Sequence, residues 1–478
     1  MSAGASKTST GTKASYPPPE IRTSPGSEFP PGPGLLGPLL SGRAFRQSPE
    51  SAMVYNAKRY GDLVHYRAAG RHIFQFNHPD LVQDLLITDA KHHHRGMVMQ
   101  RSKLVLGEGL LTSEEPLHMR QRRLAQPAFH RDRIAAYGRI IGQFAAEATA
   151  GWRAGEVREV HTDMQTLALR IVGKTLFDQE MEGDTARIAE AIDAFMAFMP
   201  LVFLPFSSTI QKLPIPMMQR IHRSRVELDT LIYRIIRKRR AQAVDRGDLL
   251  SMLLASVDTE ENTGGMTDTQ VRDECVTTLL AGNETTANAL SFALRLLATH
   301  PEESERLHAE AAEVLGDRPA TAEDYGRLKY AWMCFAEAMR LYPPVWVTAR
   351  TAAVAYPCRG FLIPRGSILL APQVVLHRDA RFWDEPGRFD PARFTSDKAA
   401  ADEDRPPRPK LSYFPFAAGS RQCIGEGLAW MEGVLSLATI ARDWRLSLPA
   451  GASAEIKVKA RVSLRPAGSV PLLLERWS

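Results

Sequence analysis

Phe416-Ala-Ala-Gly419-Ser-Arg421-Gln-Cys423-Ile-Gly425 is the stretch on which the reading of this chain turns. Past Cys423, the apolar residues Ile424, Leu428, Met431, Leu435 and Ala438 recur at intervals of four and three. That spacing is one face of a helix beginning at or just after the cysteine. Cys423 then sits at a helix N-terminus, where free backbone N–H groups and partial positive charge favour a thiolate over a thiol. Gly419 and Gly425 allow a tight turn and a close approach of backbone to a flat ligand. Arg421 can pair with an acidic group on that ligand. A lone cysteine is most often an inert buried thiol. The pattern Phe-x-x-Gly-x-Arg-x-Cys-x-Gly sets this one apart.

Three further segments lie upstream. Glu337-Ala-Met-Arg340 falls in a helix that ends before Tyr342-Pro343-Pro344. Residues three apart share a helix face, so Glu337 and Arg340 can pair. Most such pairs are exposed and worth about 0.3–0.5 kcal/mol. The longest helical pattern runs from about Thr267 to Thr299, opened by the capping box Thr267-Asp-Thr-Gln270 and closed by Pro301. It would span about 50 Å. Its middle reads Ala281-Gly282-Asn283-Glu284-Thr285-Thr286. Gly and paired Thr are poor helix formers, and such a defect marks either close helix packing at Gly282 or a site. In Glu115-Pro-Leu-His118-Met-Arg-Gln-Arg122-Arg123, His118 and Arg122 share a face. The bland alternative is a solvated basic helix face.

The rest of the chain bounds the answer. Its 478 residues are 44% hydrophobic and 24% charged, with net charge +6, ordinary for a soluble globular protein. No nucleic-acid motif or long basic run appears. Cys275, Cys334, Cys358 and Cys423 have neither zinc-site nor disulfide-scaffold spacing, which suits a reducing compartment. There is no apolar N-terminal leader and no run of about twenty apolar residues, so a cytoplasmic protein without a transmembrane anchor is expected. Residues 1–34, rich in Ser, Thr, Gly and Pro, read as a disordered tail, and 35–478 as one interleaved domain. Leu63–Phe76 reads as a β-hairpin, helical spacing dominates to about Leu341, and short strands return over Ala353–Val375 and Leu446–Leu474. Ser396–Lys410 reads as an exposed loop. The fold class is mainly α with small β-sheets (α+β). His92-His93-His94 point in different directions and read as loop or helix-end residues rather than ligands of one ion.

The Cys423 loop resembles the haem-binding loop of the cytochrome P-450 family, matching every motif residue, and the resemblance extends roughly from Met53 to Pro471. It implies a single helix-rich domain with haem b between a long central helix and the loop. Cys423 would be the axial iron ligand, its sulfur pushing electron density to favour O–O cleavage. Phe416, Gly419, Arg421 and Gly425 would complete the haem loop. Glu337-x-x-Arg340 and Phe389-Asp-Pro391-Ala-Arg393-Phe394 resemble the segments that form a Glu-Arg-Arg network, so Glu337, Arg340 and Arg393 are expected to brace the loop. Glu284 and Thr285 match the family's acid–alcohol pair. Dioxygen must receive two protons on its outer oxygen before the O–O bond breaks; Thr285 would hydrogen-bond that oxygen and Glu284 relay protons through water. His118 and Arg122 stand where many members have Trp-x-x-x-Arg, and with Arg350 they would reach the haem propionates.

The resemblance further implies an O2-dependent monooxygenase hydroxylating a hydrophobic small molecule: a fatty acid, terpenoid, steroid or polyketide. Ala281, Val345 and Val347 are expected to line its pocket. The apolar stretch Phe195–Phe206 reads either as the roof of the access channel or as plain core. The chain ends at Ser478 without a nucleotide-binding fingerprint, so a separate ferredoxin or flavodoxin with its reductase is expected to supply electrons. Arg120, Arg123, Arg131 and Arg133 would form its basic docking face. A monomer is expected. A peroxide-using or rearranging haem-thiolate enzyme, or a haem-thiolate gas or redox sensor, would not need the Glu284–Thr285 pair.

Overall fold

The computed structural model describes residues 16–34, 48–68, 70–178, 213–242, 244–258, 264–395 and 408–477, with a few single positions between 187 and 198. The elements that place the site are, in order, α1 (Pro49–Tyr60), β1 (Leu63–Ala68), β2 (Arg71–Phe76), β3 (His93–Arg95), α2 (Leu117–Ala125), α3 (Arg131–Thr149), β4 (Val157–Glu159) and α4 (Val160–Phe177). Then come α5 (Pro216–Gln242), α6 (Asp268–Leu297), α7 (Pro301–Leu315), α8 (Lys329–Leu341), β5 (Thr348–Ala352), β6 (Ile368–Ala371) and α9 (Glu426–Asp443). The chain closes with β7 (Trp444–Ser447), β8 (Val458–Ala460), β9 (Leu464–Pro466) and β10 (Pro471–Arg476). The protein is mainly α with small sheets.

Helix α6 runs through the centre. Thr267 Oγ1 accepts from Gln270 N and Gln270 Oε1 accepts from Thr267 N, the reciprocal cap that the sequence predicts. Apolar residues surround most of its length, as expected for a helix buried on all sides. Against it pack α4 on one side and α8 and α9 on another, around Leu167, Ile171, Leu290, Leu294, Phe335 and Leu435. Gly282 packs against α4, where an added Cβ would lie 2.9 Å from Val172 Cγ2. Close packing at this glycine is therefore real, and it leaves the neighbouring Ala281 exposed.

One sheet decides which charged residues meet. Its order is β1-β2-β6-β5-β3, with β6 parallel to β2 and the other pairs antiparallel. The β3–β5 register sets Arg95 opposite Arg350. A second sheet, β7-β10-β4, joins the C-terminus to the start of α4. No helix among the described residues is long and apolar enough to cross a membrane.

The N-terminal segment corrects the expectation of a tail ending at residue 34. Residues 1–15 lie outside the described residues, but 16–34 lie on the body. Glu20 N donates to Asp62 Oδ2 at 2.7 Å, His65 N donates to Pro31 O at 3.2 Å, and the Phe29 ring stacks on His65. Gly32 is pressed so closely to His65 that a Cβ would sit 1.7 Å from its carbonyl oxygen. Proline-rich composition excludes helix, but an extended strand with free carbonyls can still dock. Most of Phe195–Phe206 and of Ser396–Lys410 lies outside the described residues; Phe195 and Phe198 are buried.

Candidate active site

The Cys423 loop is closed on itself by Cys423 N donating to Phe416 O at 3.0 Å. Two left-handed residues make the turn, Ala417 (φ 59°) and Gly419 (φ 77°). At Gly419 a Cβ would meet Leu86 O at 2.2 Å, so glycine is required there by both conformation and space. Gly425 is different: an added Cβ would be in ordinary contact with Phe129 at 3.6 Å. The protein's own atoms do not demand this glycine. Helix α9 begins at Glu426, three residues beyond Cys423 and later than the apolar spacing suggests.

Cys423 has exposed surface, whereas Cys275, Cys334 and Cys358 are buried. Its surroundings do not by themselves make a thiolate. Desolvation pushes its thiol up to about 11, against the pull of the Gly425 N–H and of Arg122. For the free thiol, desolvation by the surrounding atoms outweighs position near a helix start, and a bound cation would favour ionisation of the sulfur.

Beside the loop lies an unusual concentration of positive charge. Arg421 Nη1 donates to Ser113 O at 2.6 Å, and Nη2 reaches Glu114 Oε2 at 3.2 Å and Glu115 Oε1 at 3.5 Å. Arg122 Nη1 donates to Gln422 O at 2.8 Å. His118 is buried, pairs with Glu115 Oε1 at 2.9 Å, and is held down to about 4 by burial and by Arg421. Arg350 is buried, donates among the described residues only to the neighbouring Ala349 O at 2.9 Å, and is pushed down to about 10 by burial and by Arg421. Arg95, which the sequence reading did not single out, faces Arg350 across the sheet. Burial and repulsion from Arg350 and Arg421 hold its guanidinium well below the usual arginine range. Its Nε is buried without a hydrogen-bond partner among the described residues.

Arg95, Arg122, Arg350 and Arg421 thus confront two carboxylates, Glu114 and Glu115. Like charges held together out of water are costly unless an anion joins them. The cluster suits a ligand that brings acidic groups, and haem with its two propionates has that chemistry.

A second arginine cluster lies behind the loop, with charge in balance. Glu337 is fully buried and accepts from Arg340 Nε at 2.7 Å, Arg340 Nη2 at 2.8 Å, Arg393 Nε at 2.9 Å and Asp390 N at 3.0 Å. Arg340 also donates to the carbonyls of His377, Pro386 and Arg388, and its guanidinium lies over the Trp383 ring at 5.0 Å.

In the middle of α6, Ala281 is exposed and Thr278, Gly282 and Thr285 are partly so, while most of the helix is buried. Thr285 Oγ1 donates to Ala281 O at 2.7 Å. The Glu284 carboxylate points elsewhere: it is buried and accepts from Ser463 Oγ, in the β8–β9 turn, at 2.6 Å. Neither Ser463 nor Glu114 is prominent in the sequence. Val345 and Val347 are half-buried, and Val347 packs on the cluster around Trp346 and Leu370. Ile424 packs on the cluster that holds Leu279 and Leu280, linking the loop to α6.

The four arginines expected to form a docking face do not all point outward. Arg131 is exposed, but Arg120 Nη2 donates to Gly264 O at 3.2 Å, and Arg133 lies against Gly247. The three histidines diverge: His93 pairs with Tyr356 Oη at 2.9 Å, His92 turns to Asp89, and no metal-binding cluster occurs among the described residues.

The sequence profile of the cytochrome P-450 family matches residues 29–470. The chain is 35% identical over 390 residues to cyclooctat-9-en-7-ol 5-monooxygenase of Streptomyces melanosporofaciens, covering 81% of this chain and 83% of the relative. It is 31% identical to pentalenene oxygenase of Streptomyces avermitilis, covering 81% and 85%. The crystal structure of the cytochrome P-450DA haem domain superposes with TM-score 0.81 at 25% identity, covering 94% of this chain and 98% of that one.

Proposed function

Given that this chain belongs to the cytochrome P-450 family and is a P-450 monooxygenase with haem as cofactor and O2 as co-substrate, we propose that it hydroxylates a cyclic terpenoid, using haem b ligated by Cys423. When bound, the haem iron supplies the oxygen-activating chemistry. The protein's residues bind it, orient it and move protons. Arg95, His118, Arg122, Arg350 and Arg421 would hold the propionates. The excess of buried guanidinium groups beside the thiol loop is the observation that carries this reading. Gly425, where an added Cβ would make only an ordinary contact with Phe129, would allow close approach of the haem to the loop.

Thr285 presents its hydroxyl from the exposed stripe of α6, and Glu284 delivers protons to it through water. Glu337, Arg340 and Arg393 brace the segment that carries the loop. Ala281, Val345 and Val347 line an apolar pocket, and the named terpenoid chemistry of two relatives supports a cyclic terpene as its occupant. Electrons come from a separate ferredoxin or flavodoxin with its reductase. Arg131 is the exposed member of the basic face for that donor.

The substrate class is tested by titrating the haem-loaded protein with pentalenene and with a straight-chain fatty acid. A low- to high-spin shift with the terpene and none with the fatty acid is expected. The reverse order of response would reject the terpenoid assignment.

A further inference from the structure

Ser463 lies outside the residues that would hold haem, yet it contacts the acid of the Glu284–Thr285 pair. Its hydroxyl donates to Glu284 Oε1 at 2.6 Å and accepts from Asn288 Nδ2 at 3.2 Å. All three residues are buried, Asn288 and Ser463 almost completely. A serine hydroxyl has one proton to give. Because Asn288 donates to it, that proton is directed at Glu284.

Helix geometry separates this contact from the open side of α6. Glu284 and Asn288 are four apart and form one stripe; Ala281 and Thr285 form the next, about 100° round the helix. The bond to Ser463 therefore holds the carboxylate on the hairpin side, away from the stripe that carries the Thr285 hydroxyl.

The turn that carries Ser463 also touches the pocket wall. Val462 packs on the cluster containing Val276, Leu279 and Leu280 of α6. Trp346 Nε1 donates to Arg461 O at 2.8 Å, and Leu464 N donates to Pro344 O at 2.8 Å, so the turn is fastened on both sides of Val345. A ligand pressing on Val345, Val347 or Val462 presses on the residue that grips Glu284.

We propose that Ser463 is a positioning residue that sets the orientation of the Glu284 carboxylate and links it to occupation of the pocket. This rests on the reading of Glu284 as the proton-delivering acid. Asn288 orients the serine hydroxyl. Movement of the 461–463 turn changes this hydrogen bond and with it the carboxylate's orientation relative to Thr285.

The test uses haem-loaded protein with a plant-type ferredoxin, its reductase and NADPH, with and without pentalenene. Wild type, Ser463→Ala, Ser463→Thr and Glu284→Gln are compared by peroxide released per NADPH consumed. The infrared carboxyl band assigned by its loss in Glu284→Gln is read alongside and needs no substrate. Ser463→Ala should shift that band and raise the peroxide fraction about three- to tenfold, the factor one hydrogen bond is worth. Ser463→Thr, which restores a hydroxyl, should return both. An unshifted band and a wild-type peroxide fraction in Ser463→Ala, with a raised fraction in Glu284→Gln, would overturn the role of Ser463 and leave the relay standing. A wild-type fraction in Glu284→Gln would instead reject the relay itself.

Discussion

Two buried arginine clusters flank the Cys423 loop, and they differ in charge balance. Behind the loop, Glu337 is fully used by Arg340, Arg393 and the Asp390 backbone, and backbone carbonyls take up the remaining Arg340 donors. Beside the loop, Arg95, Arg350 and Arg421 share Glu114 and Glu115, Arg122 adds a further positive charge, and Arg95 Nε has no hydrogen-bond partner among the described residues. The first arrangement is complete without a ligand and can only brace. The second is stabilised by bringing in negative charge. Buried arginines by themselves therefore do not mark a binding site in this P-450; uncompensated ones do.

Breaking the balanced cluster should have the largest effect. Glu337→Ala leaves two buried guanidinium groups without their carboxylate, and should destabilise the fold by about 3–5 kcal/mol. Denaturant unfolding followed by circular dichroism reads this, and a loss below about 1 kcal/mol would place the hub outside the core of the fold.

Arg350→Ala should do the opposite in kind. Removing one of several mutually repelling cations leaves the fold standing but weakens retention of haem. A charged hydrogen bond is worth about 1.5–3 kcal/mol, so haem transfer to apomyoglobin should become about 10- to 100-fold more favourable. Arg95→Ala should behave alike. If either variant unfolds with its haem affinity intact, the two clusters do not differ as described.

Acid should expose the balanced cluster next. His377 is buried beside Arg340, and its Nε2 accepts from Phe414 N at 3.0 Å, so it must be neutral. Burial first, and then Arg340, pushes it from 6.5 down to about 3. The unfolded chain binds the proton more readily, so stability is full above about pH 6.5 and is lost as pH falls toward 3. At pH 5 this group alone costs about 2 kcal/mol. His377→Gln, whose amide can still accept, should flatten that slope in urea unfolding across pH 5–7.

The smallest effect is expected at Gly425→Ala. With φ −89° and no neighbour nearer than Phe129 at 3.6 Å, it should change the stability of the haem-free protein by less than about 0.5 kcal/mol. Gly419→Ala, with a left-handed backbone and Leu86 O in the way, should cost more than about 1 kcal/mol. Equal losses at the two positions would show that Gly425 also answers to the protein's own packing.

What could be read from sequence was what lies close along the chain. The Cys423 loop, the Thr267 cap and the Glu337–Arg340 spacing are local patterns. Arg95 and Ser463 were not legible, because their partners are set by β3–β5 pairing and by the β8–β9 turn, both distant in sequence. Residues 16–34 were misread because proline-rich composition reports what a segment cannot form, not what it can lie against. At Cys423 the helix starts three residues later than the cysteine, and desolvation is the larger influence on the free thiol.

The central claim, that Cys423 ligates haem iron, is tested most directly by the absorption spectrum of the reduced, CO-bound protein. Wild type should show the strongly red-shifted Soret band of a thiolate-ligated haem, and Cys423→Ser should lose it while keeping the wild-type circular dichroism. Persistence of the red-shifted band in Cys423→Ser would contradict the account.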